Sequence, residues 1–241
     1  IIRMMDSMPE VAACQPKMRS WHERNKFEYA GAAGGYIDKY GYPFCRGRLF
    51  QSLEEDKGQY DDAVSVFWAT GACLFVRSDV FWILGGLDNR FFAHMEEIDF
   101  CWRARNVGYD IKYCPESVVY HVGGGTLPKK SWRKTYLNMR NNAIMLYKNL
   151  PDERIIPVFS TRLILDGVAA IKFLFDGGFK KLRFNSTAAP SYPNIRHVSR
   201  GESGPQSTMR HPRACAIRAS LRLGLTATGL PTASNSGISE W

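Results

Sequence analysis

Hydrophobic and polar positions change character several times along the chain, and each change predicts an element. Residues 1–8 read as the tail of a helix closed by Pro9. VAACQPKM (11–18) is short, apolar and ended by a proline and a basic pair, which predicts a buried strand. Residues 20–62 lose all period, are rich in Gly, Tyr and charge, and read as irregular; a loop that long in a compact domain is usually functional or mobile. VSVFWATGACLFV (64–76) is strongly β, with Gly71 as a bulge or a place of close backbone approach. Ser78 can cap a short helix, SDVFWILGG, that stops at Gly85-Gly86. A helix is predicted over 95–107, with Gly108 as its stop. Two short strands follow, YDIKYCP and SVVYH. SWRKTYLNMRNNAIMLYKNLP then reads as a helix capped by Ser131 and ended by Pro151. Strands and helices alternate, so the fold class is α/β.

Beyond Leu150 the pattern changes twice. Residues 155–179 are very apolar, but Arg162, Asp166, Lys172 and Asp176 interrupt the run, so no span of about twenty apolar residues exists for a transmembrane helix. A helix that is interfacial, or packed against the domain, fits better. After Leu182, Ser, Thr, Ala, Pro and Arg dominate and periodicity disappears. That texture fits a disordered tail or translation out of frame; the abrupt loss of lysine favours the second, and residues 183–241 are assigned no function. The organisation predicted is therefore a main domain over 1–150, apolar or amphipathic helices over 151–182, and the tail.

Composition adds little to this picture. With 241 residues, 45% hydrophobic and 23% charged, the chain can bury a real core. The net charge of +9 invites nucleic acid, phosphate or an anionic membrane as partner. The excess is uneven, however: residues 183–241 hold seven arginines against Glu202 and Glu240, leaving a surplus of four elsewhere. The six cysteines are scattered without a C-x-x-C pair and read as reduced thiols of a cytoplasmic protein. Ile1-Ile2-Arg3 is not a signal peptide, and a start other than Met points to a cut N-terminus.

The candidate chemistry lies in FFAHMEEIDFCWRARNVGYDIKYCPESVVYH (91–121). As structure alone, Glu96, Glu97 and Asp99 favour a helix N-terminus by roughly 0.3–1 kcal/mol each. That accounts for the acids but not for the FF-A-H-M before them. As chemistry, a carboxylate at a helix mouth beside aromatic walls is a natural general base for a sugar hydroxyl, and partial burial next to a second carboxylate raises its pKa towards neutrality. A lone His such as His121 is more often structural, yet the glycines after it free the backbone to approach a ligand, and a neutral imidazole can bind a divalent metal. Lys129, Lys130, Arg133, Lys134 and Arg140 read either as a solvated basic face or as a diphosphate clamp.

Six short motifs stand in order: Trp68-Ala-Thr-Gly71-Ala72, GGLDNRFF, Glu96-Glu97-Ile-Asp99-Phe-Cys101-Trp-Arg103, Gly108-Tyr109, Tyr120-His121 and Arg140-Asn141. Over residues 1–150 this series resembles the family 2 glycosyltransferases of the GT-A fold, in particular their bacterial rhamnosyltransferase-like branch. The resemblance implies a Rossmann-like mixed sheet and inverting transfer from a nucleotide-diphosphate sugar to a glycan or lipid-linked acceptor in cell-wall or surface polysaccharide synthesis. It implies Glu97 as the catalytic base and Glu96 as the residue orienting the acceptor. Trp68, Gly71, Ala72 and Asp99 would then lie on the acceptor side, Lys134 and Arg140 on the diphosphate, and His121 near a Mg²⁺ or Mn²⁺ ion. Glu97 stands where the family commonly has Asp, so its carboxylate reaches one methylene further.

The family's Asp-x-Asp metal motif and its first, nucleotide-binding strands are not found in the sequence; Asp61-Asp62 has neither the spacing nor a preceding strand. The chain thus looks like the acceptor-side half of such an enzyme. It is expected to be inactive by itself, cytoplasmic at the inner face of the membrane, touching it through 155–179, with no nucleic acid as partner. The alternative reading is a non-catalytic basic module for RNA or anionic glycan, though much of the basic charge lies in the tail.

Overall fold

A computed structural model of the chain describes residues 1–123, 132–173 and 175. The tail 183–241, the pair Lys129-Lys130 and the proposed cap Ser131 lie outside the described residues. Two compact units divide the described chain after Ile155.

The first unit opens with α1 (Ile2–Ser7), which ends ahead of Pro9 as the sequence predicts. β1 (Val11–Ser20) follows, with its first eight residues buried. A strand buried over so long a run has both faces covered, and β1 is indeed the middle strand of its sheet.

The segment read as irregular holds a small antiparallel meander: β2 (Gly35–Ile37), β3 (Pro43–Cys45), β4 (Arg48–Leu49) and β5 (Ser52–Leu53). Strands of two or three residues are too short to show a period of two. What holds them is turn chemistry: the Asp38 carboxylate accepts from the amides of Tyr40 and Tyr42, and Tyr36 stacks on Phe44 across the β2–β3 pair.

The reverse correction applies to 64–76. Only β6 (Phe75–Val76) is a strand there; Ser65 and Trp68 make single bridges, and 69–74 is a turn. β-Propensity loses to a side chain from β1. Buried Gln15 accepts from the Thr70 amide at 2.9 Å and donates to the Gly31 carbonyl at 3.1 Å, which bends the segment into a turn.

α2 (Ser78–Ile83) has Arg77, not Ser78, at its N-cap, and Asp79 accepts from the Val80 amide instead. It stops at Gly85 and Gly86, both at positive φ. α3 (Glu96–Asn106) follows the prediction closely: three acids in its first turn, Arg103 and Arg105 in its last, and Gly108 beyond it at φ 101°.

The two strands predicted next are one, β7 (Asp110–His121), parallel to β1. Register shifts where Pro16↔Cys114 gives way to Lys17↔Val118. Pro115 has no N–H for the ladder, so the strand bulges there and re-pairs, which makes it look broken in the sequence. The larger sheet runs β6–β1–β7, antiparallel then parallel, so the unit is α/β with a mixed sheet.

α4 (Trp132–Asn149) packs on α3 and ends before Pro151. Phe27, Phe91, Phe100, Ile111 and Tyr113 are fully buried in the core that α3 shares with β1 and β7. The five cysteines among the described residues are free.

α5 (Asp152–Phe173) carries Pro157 inside it, and Ile156, Leu163, Ile164, Val168 and Ile171 stand exposed along it. Among the described residues no helix is long and apolar enough to cross a membrane.

Candidate functional site

Parallel β1 and β7 end together at Ser20 and His121, and α3 leads into β7. In open α/β sheets this carboxyl edge is where ligands bind.

The entry to α3 is strained. Phe92, His94 and Met95 all adopt left-handed backbone, at φ 61°, 71° and 73°. For residues other than glycine this costs on the order of 1–3 kcal/mol each, so the surrounding structure must hold the turn. Met95 is the N-cap and offers no side-chain cap, which leaves the first turn of α3 to the acids.

Glu97 is half-buried there, and its Oε2 is shut off from solvent with no hydrogen-bond partner. Burial, and next the charge of Glu96, push its carboxyl up to about 7; the amides of Glu97, Gly71 and Ile98 oppose the rise without cancelling it. Glu96 is raised as well, by burial, and its Oε2 also lacks a partner. The imidazole of His94 has a buried Nε2 without a partner; burial first and the Lys134 ammonium second hold its pKa below the ordinary value, so it stays neutral. Three polar groups with unused hydrogen-bonding capacity thus stand together at the head of α3.

Of the residues proposed for the acceptor side, Gly71 and Ala72 are exposed, and a Cβ built on Gly71 would lie 3.5 Å from the Glu97 carboxyl carbon. They form the rim over Glu97. The turn that carries them is fixed by Gln15 through Thr70, by the Ala69 amide against Cys101 Sγ, and by Thr70 Oγ1 accepting from the Ala72 amide.

Trp68 and Asp99 sit elsewhere. Trp68 is buried against Gly35, where a Cβ would come within 2.1 Å of its ring, and its indole N–H donates to the Tyr36 carbonyl. Asp99 is wholly buried: it accepts from Arg103 Nε at 2.9 Å and Asn149 Nδ2 at 2.8 Å, and pairs with Lys148 Nζ at 2.8 Å. Every oxygen of Asp99 is engaged inside the α3–α4 contact, so it holds the helices together and presents nothing to an acceptor.

The basic residues divide in the same way. Lys134 lies near enough to His94 to perturb it, and Arg133 stacks over exposed Phe92 at 5.3 Å. Arg140 turns inward to the protein: its Nη2 donates to the Arg90 carbonyl at 2.7 Å and its Nε to Asn141 Oδ1 at 2.9 Å.

His121 ends β7 with its Nδ1 buried and unbonded, 3.7 Å from Oε1 of the largely buried Glu28. Gly123 approaches the same carboxylate; a Cβ there would sit 3.0 Å from Glu28 Oε1. One imidazole and one carboxylate are two donors, and no group of three or more His, Cys, Asp or Glu capable of holding a metal exists among the described residues. These residues do not by themselves make a metal site, and no step below runs through a metal.

Sequence reasoning missed Gln15, Glu28, His94 and Asn141. The available signal was polarity at buried positions: Gln15 interrupts an apolar strand, and Asn141 falls on the buried α4 stripe of Leu137, Met145 and Asn149.

No protein-family model matches the chain. Curated relatives do. Over 174 residues, 69% of this chain and 54% of the relative, it is 25% identical to the low-salt glycan biosynthesis hexosyltransferase of Haloferax volcanii. Over 56 residues, 23% of this chain and 18% of the relative, it is 39% identical to the N-acetylglucosaminyl-diphospho-decaprenol L-rhamnosyltransferase of Mycobacterium tuberculosis. The chain spans about half the length of the first relative and less of the second. Both relatives are glycosyltransferases, as the resemblance to the rhamnosyltransferase-like branch implies.

Proposed function

We propose that residues 1–150 form the acceptor-side part of a glycosyltransferase, with Glu97 as its general base. The observation that carries this is the Glu97 carboxylate: half-buried, one oxygen unpartnered, raised to about 7, and facing the exposed rim of Gly71 and Ala72. A base works best when its pKa lies near the working pH, and this one does. Glu97 takes the proton of an acceptor hydroxyl as that oxygen attacks the anomeric carbon of a nucleotide-diphosphate sugar from the face opposite the leaving diphosphate, inverting the centre. Glu96 and neutral His94 bond the acceptor and fix the attacking oxygen. Lys134 offsets charge on the departing diphosphate.

Trp68 supports the rim turn from below, and Asp99 ties α3 to α4; both serve the site through packing. The acceptor is a glycan or lipid-linked sugar, the class named for the mycobacterial relative. A divalent metal, when bound, would supply charge neutralisation at the diphosphate. The apolar face of α5 is the place for a peripheral membrane contact.

The test is acceptor-dependent release of nucleoside diphosphate from a panel of nucleotide-diphosphate sugars, with the chain joined to the nucleotide-binding half of a rhamnosyltransferase-like enzyme. Glu97→Gln should lower turnover by about 10²–10⁴-fold. Near-wild-type turnover in that variant removes Glu97 from the role. Retention of the anomeric configuration in the product would refute the inverting mechanism.

A further inference from the structure

α4 buries two asparagines side by side, and one of them is aimed at the strained turn. Asn141 Nδ2 lies 2.9 Å from the Phe91 carbonyl, 2.8 Å from that of Ala93 and 2.7 Å from that of His94. One amide nitrogen therefore gathers three carbonyls of a turn in which Phe92, His94 and Met95 are left-handed. An amide placed on such a stripe could present its oxygen or its nitrogen. Arg140 removes the choice. Its Nε–H occupies Asn141 Oδ1, so the donor end must face the turn, while its Nη2 reaches the Arg90 carbonyl at 2.7 Å and that of Phe91 at 3.4 Å. The pair thus takes up the carbonyls of Arg90, Phe91, Ala93 and His94, four of the five residues before Met95 on the approach to α3.

We infer that Arg140 and Asn141 act together as a clamp, holding the left-handed 91–95 turn shut and thereby positioning the Glu96–Glu97 pair beneath the Gly71–Ala72 rim. Both are positioning residues and touch no substrate. The inference rests on the reading of Glu97 as the base, and it moves Arg140 from the diphosphate to the interior of the site.

The chain of cause is short. Released carbonyls let Phe92, His94 and Met95 relax towards ordinary backbone angles. The first turn of α3 then loses its fixed entry, and water reaches the closed-off Oε2 of Glu97. The groups that act on this carboxylate are Glu96 and the amides of Glu97 and Ile98 on its own helix and the Gly71 amide on the rim, and its charge in turn reaches the Cys101 thiol of α3 and the Cys45 thiol of β3. Asn141→Ala removes none of these groups, so a shift in Glu97 reports the opening of the turn and the entry of solvent.

Asn142 supplies the control. It too is buried on α4, but its Nδ2 donates to the Gly41 carbonyl at 2.8 Å, away from the turn. The experiment is a carboxyl titration of Glu97 by ¹³C NMR in the glutamate-labelled chain, on wild type, Asn141→Ala, Arg140→Ala and Asn142→Ala, each with a thermal melt. Asn141→Ala should lower the Glu97 midpoint by at least about one pH unit, towards the ordinary glutamate value. Arg140→Ala should move it the same way by less, and Asn142→Ala should lower the melting temperature without moving it.

An unmoved midpoint in a folded Asn141→Ala chain overturns the clamp, as does an equal shift in Asn142→Ala. If Asn141→Ala does not fold, Arg140→Ala, at the less buried member of the pair, decides alone, and an unmoved midpoint there overturns it. The titration needs no turnover, so a failure of the clamp is distinguishable from a failure of Glu97 as base, which only the activity of Glu97→Gln reads.

Discussion

Glu97 and Asp99 are two residues apart on one helix, and their surroundings could hardly differ more. Asp99 is fully buried, with Arg103, Lys148 and Asn149 around it. Nearby Asp88 shares that network. Burial would raise its carboxyl, but bonds from Arg90 and Lys148 outweigh burial and hold it well below the usual carboxylate range. Glu97, at the head of the same helix, faces a second carboxylate and no cation, keeps an oxygen unbonded, and is raised to about 7. Of these four acids the fold has paired two, Asp88 and Asp99, and left two, Glu96 and Glu97, uncompensated. Buried carboxylates that are compensated hold structure; those left uncompensated in a cleft point to chemistry.

The largest expected effect that sharpens this contrast is on turnover, where Glu97→Gln loses about 10²–10⁴-fold while remaining folded. Next comes stability at the other residue. Asp99→Ala leaves Lys148 and Arg103 without their buried partner and should cost about 3–5 kcal/mol in a denaturant melt. A cost below about 1 kcal/mol would mean that the network is not what joins α3 to α4.

A smaller effect separates the two acids by pH. Because the folded-state pKa of Glu97 is raised above the ordinary 4.5, the folded chain holds a proton that the unfolded chain has released between about pH 4.5 and 7. The contribution of Glu97 to stability is therefore full below about pH 4.5 and is lost as pH rises towards 7. The loss is at most about 3 kcal/mol, and less once solvent screening of a half-buried group is counted. Melts across pH 4–8 should show the slope in wild type and a shallower one in Glu97→Gln, where only Glu96 still contributes it.

Smallest is Gly71→Ala. The new methyl meets the Glu97 carboxyl at ordinary contact distance and Gly71 is not left-handed, so stability should change by less than about 1 kcal/mol. Acceptor binding should weaken, read as a rise in KM, because the methyl narrows the rim.

How much of this was legible in the sequence follows from the range of each interaction. α3 was readable because its signals are local: acids in the first turn, arginines in the last and Gly108 as the stop. β1 was readable because burial on both faces gives it a short, mainly apolar run that opens with VAAC. The β2–β5 meander was not, since its pairs of two or three residues are held by turns and stacking rather than by alternation. The strand expected over 64–76 failed because Gln15, 55 residues from Thr70, bends it. Within the site, the motif order led to Glu96, Glu97, Gly71 and Ala72, which the fold brings together. It could not show that Asp99 is consumed by α4, or that Arg140 turns inward with Asn141. Those facts belong to a helix packing that joins residues about 50 positions apart.

The most direct test of the account is the titration of the Glu97 carboxyl in the unmodified chain, followed by ¹³C NMR from pH 3 to 9. A midpoint near 7 is expected, with Glu96 also above the ordinary glutamate value. A Glu97 midpoint near 4.5 would show a solvated acid at a helix end, with nothing to qualify it as a base at neutral pH.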